Sequence, residues 1–159
     1  MGHHPVFDIT TLLMPYIKGP VVREKSGNHF WLNRFYNDQT PSTGLIGSAT
    51  DAAHMAISYL NKGEFNRQHI LSAQSVDTMT NESHVKMKND PTTYFTRQGI
   101  GWQIYKDKGE LVLQHTGGGL GFSTIMQLYP NEKLGFILFT NDVTCKGWKI
   151  INLAAKLKW

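Results

Sequence analysis

One cysteine, Cys145, stands alone among 159 residues. The chain therefore has no internal disulfide framework, and its cysteine usage does not call for an oxidising compartment. A single thiol among apolar neighbours reads as a small packing residue rather than a nucleophile. Long hydrophobic runs are also missing, with none approaching the ~18 residues that a membrane-crossing helix needs. The opening stretch MGHHPVFDITTLL has no charged segment ahead of its apolar part and carries Pro5, so it does not read as a secretory signal. The excess of one charge sign is thin: 16 Lys and Arg against 12 Asp and Glu, a net +4. These cations are dispersed, with only a mild cluster at 146–158, whereas a phosphate backbone calls for a concentrated stripe. A nucleic-acid partner is not expected. His3, His4, His29, His54, His69 and His84 show neither His-x-x-x-His spacing nor carboxylate pairs beside them on a helix face. Neither a metal nor a cofactor is expected.

What is present suffices for one domain, 1–159, with a real core: 40% of residues are hydrophobic. Residues 1–47 are weakly patterned. Asp8 can cap a short helix through Leu13 that Pro15, Gly19 and Pro20 break, and VVREK (21–25) and HFWLNRFY (29–36) form candidate strands around Ser-Gly-Asn. From Ser48 the signals sharpen. Ser48 or Thr50 is an N-cap, Asp51 follows in the first turn, and Ala52, Met55, Ala56, Tyr59 and Leu60 recur at helical spacing until Gly63 closes the helix at C′. Ser72 caps a second short helix bearing Val76 and Met79, and polar residues 81–98 read as loop. The period then changes. GIGWQIYK (99–106), ELVLQHT (110–116), FSTIMQLY (122–129) and LGFILFT (134–140) are four strands separated by turn chemistry. The last is apolar at nearly every position and is expected in mid-sheet, covered on both faces. A helix at 146–158 carries a broad apolar stripe, expected to lie on the sheet, with Lys156 and Lys158 in its last turn. The expected fold class is α+β: 1–98 mainly helix and loop, 99–141 an antiparallel β meander, and 146–158 a helix packed against it.

QHTGGGLGF (114–122) needs its own account, with four glycines in five positions. A dinucleotide fingerprint requires glycines at the first, third and sixth positions before a helix. Here Phe122 stands sixth and a strand follows, and no Lys-Ser or Lys-Thr completes a P-loop. A plain hairpin turn accounts for Gly119 and Gly121 but not for His115 and Thr116.

Four segments in order, GLIGSATDAAHMAISYLNKG, ILSAQSVDTM, GIGWQI and HTGGGLGFSTIMQLYPNEKLGFILFTN, resemble the serine β-lactamase-like hydrolases. That family includes class C β-lactamases, penicillin-binding D-alanyl-D-alanine peptidases, D-aminopeptidases and related esterases. The likeness covers about 44–142, the C-terminal portion of such a catalytic domain, and implies a β-lactamase/DD-peptidase-like fold. It carries the family's third motif onto His115, Thr116 and Gly117, on a strand bordering the cleft. By the same match, the Gly118 N–H supplies an oxyanion-hole donor, a contribution of typically about 3 kcal/mol to a transition state. Histidine where penicillin-recognising relatives carry lysine tilts the implied substrate toward esters or peptides.

The family's nucleophile is the serine of Ser-x-x-Lys, followed later by Tyr-x-Asn or Ser-x-Asn. SHVK (83–86), YLN (59–61) and YPN (129–131) match the letters, but the family runs Ser-x-x-Lys, then Tyr-x-Asn, then His-Thr-Gly, whereas here YLN precedes SHVK and YPN follows His-Thr-Gly. With eight serines and twelve lysines, one accidental Ser-x-x-Lys is unsurprising. The expectation is one wall of a hydrolase cleft with no nucleophile in this chain, inactive alone. The competing class is a non-catalytic module that binds peptide or cell-wall ligands, or a self-associating interaction protein. In either case strand 134–141 needs a partner: an N-terminal portion of the family's domain, a second copy, or VVREK or HFWLNRFY. The resemblance is compatible with a periplasmic or secreted setting.

Overall fold

The computed structural model describes residues 3–5, 21–34, 45–81, 85–86, 97–119 and 121–157. The expected helix at 8–13 lies outside them, as do Ser83 and His84. Near the N-terminus, β1 (His3–Pro5), β2 (Val22–Ser26) and β3 (His29–Leu32) form an antiparallel sheet in the order β1-β3-β2. VVREK and the first half of HFWLNRFY are thus strands paired with each other, around Gly27 and Asn28.

Helix α1 (Ala49–Leu60) starts at Ser48, whose hydroxyl accepts the Asp51 N–H while Asp51 accepts the Ser48 N–H: a capping box. At the other end Lys62 N–H reaches Tyr59 O (3.2 Å) and Gly63 N–H reaches Ser58 O (2.7 Å), a Schellman closure. Lys62, at φ 56°, therefore takes the C′ place expected of Gly63. Gly63 is needed for a different reason. A Cβ there would stand 2.1 Å from the Leu71 carbonyl oxygen, where the chain folds back through the two-residue strands β4 (Glu64–Phe65) and β5 (Gln68–His69). Helix α2 (Ala73–Thr80) is capped by Ser72, which accepts the Ser75 N–H.

The main sheet is six-stranded and antiparallel. Its strands are β6 (Val85–Lys86), β7 (Arg97–Gln98), β8 (Gln103–Asp107), β9 (Glu110–Gly119), β10 (Phe122–Tyr129) and β11 (Leu134–Thr140), in the order β11-β10-β9-β8-β7-β6. Two expectations are corrected here. The stretch 81–98 contributes two short strands, and GIGWQIYK splits into a turn at 99–102 and a strand from Gln103, because Gly99 N–H bonds Trp102 O (2.7 Å) across a tight reversal. One face of the sheet packs on α1. Ala56, Tyr59, Val76, Trp102, Ile104, Leu113 and Leu128 are buried together there, with Tyr59 edge-on to Trp102 at 5.0 Å. Each large aliphatic side chain so buried contributes about 1.5–3 kcal/mol.

The opposite face receives α3 (Gly147–Ala154). A Cβ on Gly147 would fall 2.6 Å from Leu138 Cδ2 and 3.3 Å from Ile125 Cδ1, so the helix backbone rides directly on the strands. The expected helix is shorter than 146–158: it ends at Ala154, and Lys156 lies beyond its last turn. The stripe is also less buried than expected. Ile151 is buried, whereas Trp148, Ile150, Leu153 and Leu157 are 50–64% exposed.

Strand β11 sits at the edge of the sheet, not in its middle, and among the described residues it pairs with β10 alone. Its unbroken apolar run reflects cover on two faces, α1 over Ile137 and α3 over Leu138. A hydrophobic pattern reports faces and is silent about lateral neighbours. VVREK and the described part of HFWLNRFY do not pair with this edge, since β2 and β3 belong to the other sheet.

Candidate functional site

The glycine-rich stretch stays in strand conformation further than its composition suggests. β9 continues through Gly119, which pairs with Phe122 of β10, and Gly121 stands at φ 77°. The register with β10 is unbroken: His115 opposite Met126, Thr116 opposite Ile125, Gly117 opposite Thr124, Gly118 opposite Ser123 and Gly119 opposite Phe122.

The other side of β9 is different. Pairing with β8 runs from Asp107–Glu110 to Gln103–Gln114 and stops there. Residues 115–119 thus overrun their neighbour by five positions. Among the described residues nothing pairs with that edge, so alternate backbone N–H and C=O groups from His115 to Gly119 face outward. His115, Thr116, Gly118 and Gly119 are exposed and Gly117 is half-buried. Among the described residues, no heavy atom of a residue beyond the chain neighbours comes within 4 Å of where a Cβ on Gly118 or Gly119 would lie.

Side chains alternate across a strand, so the predicted site residues divide between the two faces. His115 shares the α1 face with Leu113. Thr116 shares the α3 face with Gln114. Only the edge brings these residues to one place. The side chains of His115, Thr116, Ser123 and Thr124 have no hydrogen-bond partner among the described residues. Ser123 and Thr124 escape a motif search, because they lie in a strand that reads as ordinary alternation. The pairing of Gly119 with Phe122 places them, since it fixes 117 opposite 124.

Behind the edge the sheet is anchored by a polar ladder on the α3 face. Tyr105 donates to Gln114 Oε1 (3.3 Å) and accepts from Gln127 Nε2, while Gln114 Nε2 donates to Gln103 Oε1 (3.3 Å). Gln114 and Gln127 are only 5% and 2% exposed. Each of these buried amides makes hydrogen bonds within the ladder, which ties β8, β9 and β10 together at the point where β8 ends.

The look-alike motifs fall away from this edge. Tyr59 is a core residue whose hydroxyl donates to Met79 Sδ (3.3 Å), with Asn61 at the end of its helix. Tyr129 is buried at the opposite end of β10, ahead of a 3₁₀ turn at Pro130–Glu132, and burial raises its phenol above the usual range. Lys86 lies on strand β6, and the Ser83 of that match is outside the described residues. Cys145 is half-buried, and no group of three or more His, Cys, Asp or Glu is placed to hold a metal among the described residues. No helix among them is long and apolar enough to cross a membrane.

The Beta-lactamase family model matches residues 10–154. The chain belongs to the β-lactamase family. The octameric penicillin-binding protein homologue from Pyrococcus abyssi shares the fold of this family member, with a TM-score of 0.66 and 20% identity. The match covers 90% of the present chain and 33% of the homologue, so this β-lactamase family chain spans about a third of that protein's length. No curated protein matches it.

Proposed function

We propose that the chain is the C-terminal part of a β-lactamase-related serine hydrolase, supplying one wall of a cleft in which amides or esters are cleaved through an acyl-enzyme. One observation carries this reading: β9 outruns β8 at His115–Gly119 and leaves a bare strand edge in the stretch that matches the family's third motif. An extended acyl chain can add to such an edge through backbone hydrogen bonds. In this reading the Thr116 hydroxyl donates to a substrate carbonyl or carboxylate, and His115 lies alongside it. The Gly118 N–H stabilises the developing oxyanion. Gly117 keeps the strand slim beside the substrate. The nucleophile is not among these residues, and the correctly ordered Ser-x-x-Lys and Tyr-x-Asn motifs are not in this sequence. A complete cleft takes them from elsewhere.

The test is turnover. Purified chain should hydrolyse neither a chromogenic cephalosporin nor a short chromogenic ester above the buffer rate. Hydrolysis accompanied by a covalently labelled serine would overturn the reading.

A second reading rests on β11. Its sequence, LGFILFT, carries no charge, proline or bulge to blunt an open edge, which makes it a docking strand. The Pyrococcus abyssi homologue is described as octameric, which supports self-association as the occupant. Light scattering should then give a mass above that of the monomer, and Phe139→Lys, at an exposed position of this strand, should return it to monomer. A wild-type monomer would contradict this reading.

A further inference from the structure

The strand opposite the glycines holds a group that the matched motif does not contain. Gly117 pairs with Thr124, and a Cβ on Gly117 would lie 2.5 Å from Thr124 Oγ1 and 3.9 Å from Thr124 Cβ. Directly opposed Cβ atoms usually stand about 4.5–5.5 Å apart. The Thr124 side chain therefore leans across the inter-strand gap, with its hydroxyl in the space that any larger residue at 117 would fill. This orientation carries the hydroxyl over Gly117 toward the unpaired edge of β9. It lies on the same face as His115, and it has no hydrogen-bond partner among the described residues.

We propose that Thr124 is a further ligand-contacting residue of this cleft. In this assignment its hydroxyl binds a polar group of an acyl-peptide lying along His115–Gly119, on the His115 face, opposite the face served by Thr116. Gly117 is glycine because a side chain there would turn the Thr124 hydroxyl away. The ligand arm rests on the function proposed above. The steric arm does not.

The chain itself can be tested. Threonine in a strand has few χ1 choices, so displacement of its hydroxyl is a rotamer change that scalar couplings read directly. In wild type the Thr124 χ1 should place Oγ1 over Gly117, and Gly117→Ala should shift it to another rotamer. An unchanged χ1 in a folded Gly117→Ala variant overturns the steric arm.

For the ligand arm the probe is N-acetyl-D-Ala-D-Ala, titrated by amide chemical shift. Thr124→Val keeps the volume and loses the hydroxyl, so it should weaken binding roughly fivefold or more, as befits one lost hydrogen bond. Thr124→Ser should bind as wild type does. Gly117→Ala and Thr124→Val should be non-additive, because each removes the same contact. Wild-type-like affinity in Thr124→Val, or additive losses, overturns the ligand contact while leaving the cleft reading in place. A wild-type chain that does not bind the peptide overturns the contact and the peptide-binding reading together, and the χ1 measurement still decides the steric arm.

Discussion

At Ser48 and Asp51 two short polar side chains satisfy each other's backbone donors before α1 begins, at 2.8 and 3.1 Å. The bonds from the Ser48 backbone and then its hydroxyl hold the Asp51 carboxyl below its usual 3.8. A carboxylate with a depressed folded value stabilises the native state above its unfolded value, and that contribution drains away as pH falls through the folded value. Asp51→Asn should therefore be less stable than wild type at neutral pH and converge with it in strong acid, as followed by urea denaturation across pH. Ser48→Ala should cost about 1 kcal/mol at neutral pH. Such features are legible in a sequence because capping chemistry is local, and Ser48 and Ser72 both cap as their neighbours suggest. The helix end was less legible. Gly63 looks like a C′ glycine, but its constraint is the Leu71 carbonyl eight residues on, a contact that spacing cannot reveal.

At the scale of elements, β8, β9 and β10 are joined by a ladder that has no hydrophobic substitute. Tyr105 sits at its hub between two buried glutamines. Tyr105→Phe should cost about 1–3 kcal/mol in chemical denaturation, because it leaves buried amide groups unsatisfied. A cost near zero would mean that the ladder does not hold the strands. None of this was visible beforehand, since a glutamine in a strand reads as an outward residue until something covers it. The strands themselves were legible from alternation: FSTIMQLY and LGFILFT match β10 and β11 end to end. Lateral order was not, which is why an apolar run placed in mid-sheet turned out to be an edge. The α3 stripe misleads for a related reason: amphipathicity marks surfaces able to be buried, and only the side carrying Gly147 and Ile151 meets the sheet.

For the whole molecule, the family was legible because four segments kept their order, and order is a stronger constraint than any one motif. The candidate site was legible only in part. The resemblance singles out His115–Gly118 as candidates, but only the three-dimensional pairing shows that β8 stops at Gln103 and leaves those residues an open edge. Thr124 enters through register alone. Apolar side chains meet solvent at Phe139 on β11 and at Trp148, Ile150 and Leu153 along α3.

The account turns on the edge of β9, and residue-resolved amide hydrogen exchange tests it most directly. A strand paired on both sides protects every amide, whereas one paired on a single side protects alternate amides. Protection should be continuous at Leu113 and Gln114, which are paired on both sides, and alternate from His115 to Gly119, with only the amides facing β10 slow. Continuous protection through Gly119 would show that another strand already fills the edge, and the cleft wall proposed here would not exist.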